Sequence, residues 1–271
     1  MNLRHSRDQQ WTPTSIDVTT PSVARMYDYY LGGKDNFAVD RDAAAKVIAC
    51  FPGVPLVARQ NREVMRRAAG EMATAGIRQF IDLGSGLPTQ NNLHEVVQRI
   101  DPACRVVYVD NDPIVLAHGR ALLDTNEQTT VITADIRNPD VLLADPDLNQ
   151  LIDFTQRVGV LFVAVLHFIP DSDDPAGIIA TFRDRMAAGS HLVITHVSPR
   201  GEDTQPFSEA VEIYDSASAP LVPRTRDEIE ALFDGFELLE PGVVPTWQWR
   251  ADGPAEVSNP PILAGVGRLQ P

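Results

Sequence analysis

Apolar side chains first recur at Val23, Met26, Tyr27, Tyr30 and Leu31, the spacing of three and four that places them on one stripe of a helix. Ser22 can cap the start of this helix, and Gly32-Gly33 can end it in a left-handed turn. A second helix is predicted after Asp40, through Val47 and Ile48. A third runs from about Pro55 to Ala75 and is closed by Gly76. Residues 21–76 thus read as a helical cap, and the polar, aperiodic residues 1–20 before them as a flexible arm.

The period changes after residue 76. RQFIDLGSG predicts a strand that stops in a glycine turn, and QNNLHEVVQRI a helix. RVVYVDND, PIVLAHGRALL and TVITAD follow as strand, helix and strand. GVLFVAVLHF reads as one long apolar strand, IIATFRDRM as a helix and HLVITHV as a further strand. Strands that are apolar on both faces and alternate with helices imply a mostly parallel sheet covered on both sides, an α/β fold over residues 77–271. Residues 198–224 form a polar, Pro-rich insertion carrying one amphipathic stripe, Phe207, Ala210, Val211 and Tyr214. After a helix at 225–233, FELLEP and ILAGVGRL predict two late strands as an antiparallel pair at the sheet's edge. Trp247 and Trp249 alternate with polar residues, as on one face of an extended segment.

Composition narrows the partners. The chain has 271 residues, 37 Asp+Glu against 23 Lys+Arg and a net charge of −14. Such a surface lacks the basic footprint that nucleic acid or an anionic membrane requires, so neither is expected as a partner. Gly159 to Pro170 is too short to span a bilayer, and the first thirteen residues hold no apolar signal core. Cys50 and Cys104 sit in no CxxC pattern, which suits a reducing cytoplasm. The six histidines are scattered and form no HExxH, so no metal is expected.

The glycine turn carries the chemistry. In an open parallel sheet, ligands bind at the carboxyl ends of the strands. There Asp82 precedes Gly84-Ser85-Gly86, and glycine lets backbone approach a ligand. Asp110, at the end of the next strand, can accept both hydroxyls of an adenosine ribose, with Asn111 adjacent. Asp135 can accept from an adenine amino group while Ile136 packs on the ring. The dinucleotide fingerprint G-x-G-x-x-G lacks its third glycine here, where Thr89 stands. The Asp82 charge would oppose a pyrophosphate and favour the ammonium and sulfonium of S-adenosyl-L-methionine (SAM). The alternative is that Asp110 and Asp135 are merely strand-end turn residues.

IDLGSG, VYVDND and TADI resemble the first three nucleotide-site motifs of class I SAM-dependent methyltransferases. ARMYDYYLGGKDNFAVDRDAA, ARQNREVMRRA, DLGSGLPTQNNLHEV, VVYVDNDPIVLAHGRALL and FDGFELLEPGVV are similar to the bacterial S-adenosyl methyltransferase family, nearly throughout from Pro21 onward. The resemblance implies a Rossmann-like seven-stranded sheet in the order 3-2-1-4-5-7-6, SAM as cofactor and S-adenosyl-L-homocysteine (SAH) as product. It supplies no acceptor, because those of the family are largely unassigned. In this superfamily the end of the fourth strand faces the methyl group, which makes His167 the candidate general base. The alternative is that its ring packs over SAM or hydrogen-bonds the backbone.

The cap is read as a lid in which Tyr27, Gly33, Lys34 and Asn36 touch cofactor or substrate; a helix stopped by a diglycine turn would need no such role. Phe207 and Tyr214 are expected to line an acceptor site between cap and insertion. Arg59, Arg62, Arg66 and Arg67 read as a solvated face, although Asn61 and Arg62 could reach the cleft. The expected protein is a SAM-dependent methyltransferase acting, as a monomer or homodimer, on an O or N atom of a small molecule. Two rivals are a SAM-binding regulatory or interaction module without turnover and an NAD(P)-dependent oxidoreductase.

Overall fold

The structure is a computed structural model that describes residues 16–88, 92–123, 127–199, 205–251, 253 and 262–270. Most of the expected arm, residues 1–15, and Thr89 of the glycine loop lie outside them. Ten α-helices are found among the described residues: α1 (Val23–Tyr30), α2 (Ala38–Cys50), α3 (Val54–Thr74), α4 (Leu93–Ile100), α5 (Pro113–Leu123), α6 (Pro139–Leu143), α7 (Pro146–Leu151), α8 (Pro175–Arg183), α9 (Gln205–Asp215) and α10 (Arg226–Ala231). The strands are β1 (Gln79–Leu83), β2 (Arg105–Asp110), β3 (Thr129–Thr133), β4 (Gly159–Val163), β5 (His191–Val197), β6 (Phe236–Leu238), β7 (Val244–Pro245) and β8 (Ile262–Leu269).

The sheet runs β3-β2-β1-β4-β5-β8-β6, with the first five strands parallel. β8 returns antiparallel against β5, and β6 and β7 share its outer edge. This is the expected class I methyltransferase order once the two-residue β7 is counted, which turns strand seven into strand eight.

Apolar strands need cover on both faces. On one face α3 and α4 bury Met65, Ala69, Met72, Leu93 and Val97 against Phe80, Leu161 and Val193. The other receives Leu142, Leu148, Ile178, Phe182 and Ile229. Since α3 lies on the sheet, the cap proper is α1 and α2, with α9 of the insertion packed onto them.

Two expectations about local structure are corrected. The long strand predicted over GVLFVAVLHF stops at Val163. Ala164 takes a left-handed conformation (φ 56°), and its N–H donates to Thr195 Oγ1 at 2.8 Å. Leu166–Phe168 then form a turn of 3-10 helix. Trp247 and Trp249 sit in successive turns rather than on a strand, both buried. Arg67, read as part of a solvated face, donates to Trp249 O and Thr246 O and pins that loop to α3.

Candidate cofactor site

After β1 the chain turns sharply at Gly84 (φ 71°) and Gly86 (φ 65°), a region that residues with a Cβ enter only with strain. A Cβ on Gly84 would lie 2.3 Å from Val165 Cγ2, whereas one on Gly86 would project into open space. Gly84 therefore admits the turn after β4, and Gly86 leaves the mouth of the loop clear. The loop is tied to β2 by the N–H groups of Gly84 and Ser85, which both donate to Val109 O. Gly86 N–H donates to Asp110 Oδ2 at 2.8 Å, and Asp112 N–H donates to Asp110 Oδ1 at 2.9 Å. These two donors fix the Asp110 carboxylate and leave it acceptor capacity for a ligand.

Asp82 and Asp110 are 4% and 8% exposed. Burial pushes both carboxyls up to about 6; the Arg62 charge opposes the shift at Asp82, and backbone N–H donors oppose it at Asp110. Two buried acids held near neutrality are poised for a ligand that brings positive charge and hydroxyl donors. Asp135 differs. Arg137 grips both of its oxygens, with Nη2 to Oδ2 at 2.6 Å, and these bonds hold its carboxyl below the usual aspartate range.

All eight residues expected to hold the cofactor, Asp82, Gly84, Ser85, Gly86, Asp110, Asn111, Asp135 and Ile136, line one cavity of about 650 Å³. Its roof comes from the N-terminal segment. Ile16, Asp17 and Thr20 reach the wall, so the last part of the expected arm is packed down, with Ile16 against Leu87, Ile114 and Val115. Buried Arg25 organises this roof. Its Nε bonds Asp40 Oδ2 at 2.8 Å, and its Nη2 donates to Asp17 O and Thr20 O. Ser22 Oγ donates to Asp112 Oδ2 at 2.7 Å, clamping the start of α1 to the end of β2. The far wall is Val165, Phe168, Ile169 and Pro170 with Ser218, Ala219 and Pro220. The insertion is sewn to α1 here, because Ser218 N–H donates to Pro21 O and Val23 N–H donates to Ser218 Oγ.

The remaining candidates are placed elsewhere, Tyr27 excepted. The turn after Val163 points Val165 and Phe168 at the cavity, and His167, which does not line it, packs against β5. His167 Nδ1 accepts from Val197 N–H at 3.4 Å, its ring meets that of His196, and burial holds it neutral, well below the usual histidine range. It is thus corrected from candidate base to packing residue. Gly33, Lys34 and Asn36 do not line the cavity either. The loop after α1 wraps the Asp28 carboxylate: Asn36 Nδ2 donates to Asp28 Oδ2 at 2.7 Å, and a Cβ on Gly33 would sit 1.9 Å from Asp28 Oδ1. Lys34 is exposed. Phe207 meets Phe51 edge-on and Tyr214 Oη lies 3.0 Å from Tyr30 Oη, so the α9 stripe is core between insertion and cap. Tyr27 does line the cavity; its hydroxyl donates to Ala58 O and accepts from Asn61. Arg25, Asp112 and Ser218 were not singled out from the sequence, which carries no local signal that distinguishes them.

The S-adenosyl methyltransferase family model matches residues 9–270. Among solved structures, a candidate methyltransferase from Thermobifida fusca YX is 41% identical with a TM-score of 0.90, over 97% of this chain and 100% of that one. A DUF574 family protein from Streptomyces avermitilis MA-4680 is 36% identical with a TM-score of 0.87, over 94% and 100%. Human N-acetylserotonin methyltransferase in complex with SAM shares the fold at 15% identity and a TM-score of 0.50, over 90% of this chain and 62% of that one. The chain matches no curated protein. From motif, topology and these likenesses together, the chain belongs to the S-adenosyl methyltransferase family, whose cofactor is S-adenosyl-L-methionine.

Proposed function

We propose that the protein transfers the SAM methyl group to an O or N atom of a small molecule, which binds against the apolar wall that the turn after β4 and residues 218–220 give the cavity. The observation that carries this reading is a shared cavity. The glycine loop and its acids continue without a break into an apolar wall of Val165, Phe168, Ile169, Pro170, Ala219 and Pro220. The residues fit the cofactor: two buried carboxylates without full neutralisation, a loop left clear at Gly86, and Ile136 beside Asp135 for a flat ring. SAM, when bound, supplies a methyl carbon already activated by its sulfonium leaving group.

The chain then has to align and to exclude water. Asp110 and Asn111 are the ribose partners, and Asp135 and Ile136 frame the adenine. Asp82 balances positive charge at the methionine end. Phe168 and Pro220 orient an acceptor over the end of β4. At that end His167 is turned onto β5 and buried Arg224 is spent on Leu166 O and Ile169 O, so rate comes from alignment and the acceptor itself brings its lone pair.

The test is transfer of label from methyl-labelled SAM into a cell extract separated into small molecules, nucleic acid and protein. Label in the small-molecule fraction supports the reading. Label confined to macromolecules refutes the acceptor class, and tight SAM binding without transfer in any fraction favours the regulatory module.

A further inference from the structure

The apolar wall of the cavity comes from two separate stretches of chain, and one buried side chain joins them. The turn after β4 gives Val165, Phe168, Ile169 and Pro170, and the insertion gives Ser218, Ala219 and Pro220. Just beyond the second group stands Arg224, which is buried. Its two terminal nitrogens have an acceptor for every hydrogen they carry. Nη1 donates to Leu166 O at 3.0 Å and to His196 Nε2 at 2.9 Å, and Nη2 donates to Ile169 O at 2.9 Å and to Asp171 Oδ1 at 2.5 Å. His196 can accept because its Nδ1 lies 2.8 Å from Val197 O, which puts the ring hydrogen on Nδ1 and leaves Nε2 its lone pair. Two backbone bonds run beside the guanidinium: Val222 N–H donates to His167 O at 2.7 Å, and Arg224 N–H donates to Val197 O at 3.2 Å.

Stability alone is a poor reason for this arrangement. A buried arginine carries a desolvation penalty, and its carboxylate partner Asp171 is 84% exposed, where the attraction is screened. A well-packed apolar side chain would fill the same space without that penalty. What arginine adds is geometry. Its planar fork holds one carbonyl at the start of the Leu166–Phe168 turn and one just past its end. Between those carbonyls lies Phe168, which faces the cavity. We propose that Arg224 is the positioning residue of the acceptor wall: it holds Phe168 over the end of β4 and locks residues 218–220 against the turn, so that the acceptor meets the methyl group in one orientation. Arg224 does not itself line the cavity and acts through Phe168. The inference rests on the SAM reading above.

The experiment compares the wild-type full chain with Arg224→Met, which fills the site without the fork, and Arg224→Lys, which keeps the charge. Three quantities are read. Label transfer from methyl-labelled SAM into the small-molecule fraction of a cell extract, at dilutions where rate is proportional to extract, reports kcat/KM for the acceptor. Calorimetry gives the SAH affinity, and mass spectrometry the amide hydrogen exchange. Arg224→Met is expected to lower transfer about 10- to 100-fold while SAH affinity stays within about threefold. Exchange should quicken by about tenfold at residues 166–170 and 220–224, whose amides bond across this junction, and stay unchanged in β1, β2 and β4. Arg224→Lys should recover only part of the transfer, because an ammonium cannot reproduce the planar fork.

Loss of SAH affinity in step with transfer, or exchange that quickens across the whole sheet, would make Arg224 a structural residue and overturn the inference. Unchanged transfer in Arg224→Met, or full transfer in Arg224→Lys, overturns it as well. Should Arg224→Met not fold, Arg224→Lys decides on the same three readouts. If the wild type itself labels no small molecule, the acceptor reading fails, and the exchange pattern alone decides whether Arg224 holds the turn.

Discussion

Binding of the cofactor is expected to release protons. In the ligand-free protein Asp82 and Asp110 titrate at about 6, against an ordinary value of 3.8, chiefly because burial disfavours their charged forms. A ligand that brings positive charge to Asp82 and hydroxyl donors to Asp110 restores ionisation. If binding returns both groups to the ordinary range, the free protein holds more protons than the complex between about pH 4 and 6. Affinity then rises with pH across that window and levels off above it. The gain between pH 5 and 7 is about tenfold per carboxylate, about a hundredfold for the pair, with about one proton released per ligand at pH 6. Calorimetry with SAH at pH 5 to 8, in buffers of different ionisation enthalpy, reads both quantities. Asp110→Ala should remove about half of the release and weaken binding at pH 7.5 by about 1–3 kcal/mol. A flat affinity from pH 5 to 8, or a release unchanged in both Asp110→Ala and Asp82→Asn, refutes the claim that these acids face the ligand.

The same shifts act on the ligand-free fold with the opposite sign. Because each folded-state value lies above the unfolded one, the native state binds more protons between about pH 4 and 6. Stability therefore falls as pH rises through that window, by up to about 3 kcal/mol per carboxylate. Asp82→Asn should raise the Tm of the ligand-free protein at pH 7.5 and weaken SAH binding at once, a trade expected where a site stores unfavourable charge for its ligand.

Two further outcomes test the scaffold around the site. Gly84→Ala forces a Cβ into a left-handed residue and against Val165, so denaturant unfolding should show a loss of about 2–4 kcal/mol together with weaker SAH binding; a change below about 0.5 kcal/mol would show that the turn after β4 is not keyed to the loop. Arg25→Met strands buried Asp40 with only the N–H donors of Ser22 and Phe37, for an expected loss of about 3–5 kcal/mol, whereas Arg66→Met, at an exposed pair with Glu63, should lose less than about 1 kcal/mol. Comparable urea midpoints for the two variants would contradict the buried pair's role.

What was legible in the sequence divides along physical lines. The cofactor wall was readable because strand ends converge by topology: once the β-α alternation is seen, Asp82, Asp110 and Asp135 must meet at one mouth, and the glycines mark where backbone turns. The break in β4 was not readable, because GVLFVAVLHF is apolar to its end and nothing in that run shows that Ala164 bonds to Thr195 or that Val165 fills the space left by Gly84. That single turn decides the fate of His167, since a strand continued through 168 would alternate its side chains differently from the 3-10 turn that presents Phe168 instead. The acceptor-site lining expected of the insertion was misplaced for a related reason. A stripe such as Phe207 and Tyr214 announces that it will be buried, not against what, and here its partners are the cap residues Phe51 and Tyr30 rather than a ligand. Polar residues were legible only in part: the arginine run reads as solvent-facing with Asn61 and Arg62 able to reach the cleft, and those two do line the cavity, whereas Arg67 is turned onto the loop that carries Trp249. Their function depends on which face of α3 meets the sheet, and the stripe of Val57, Val64, Met65 and Ala68 that sets this face is apolar enough to be read only once the sheet beneath it is known.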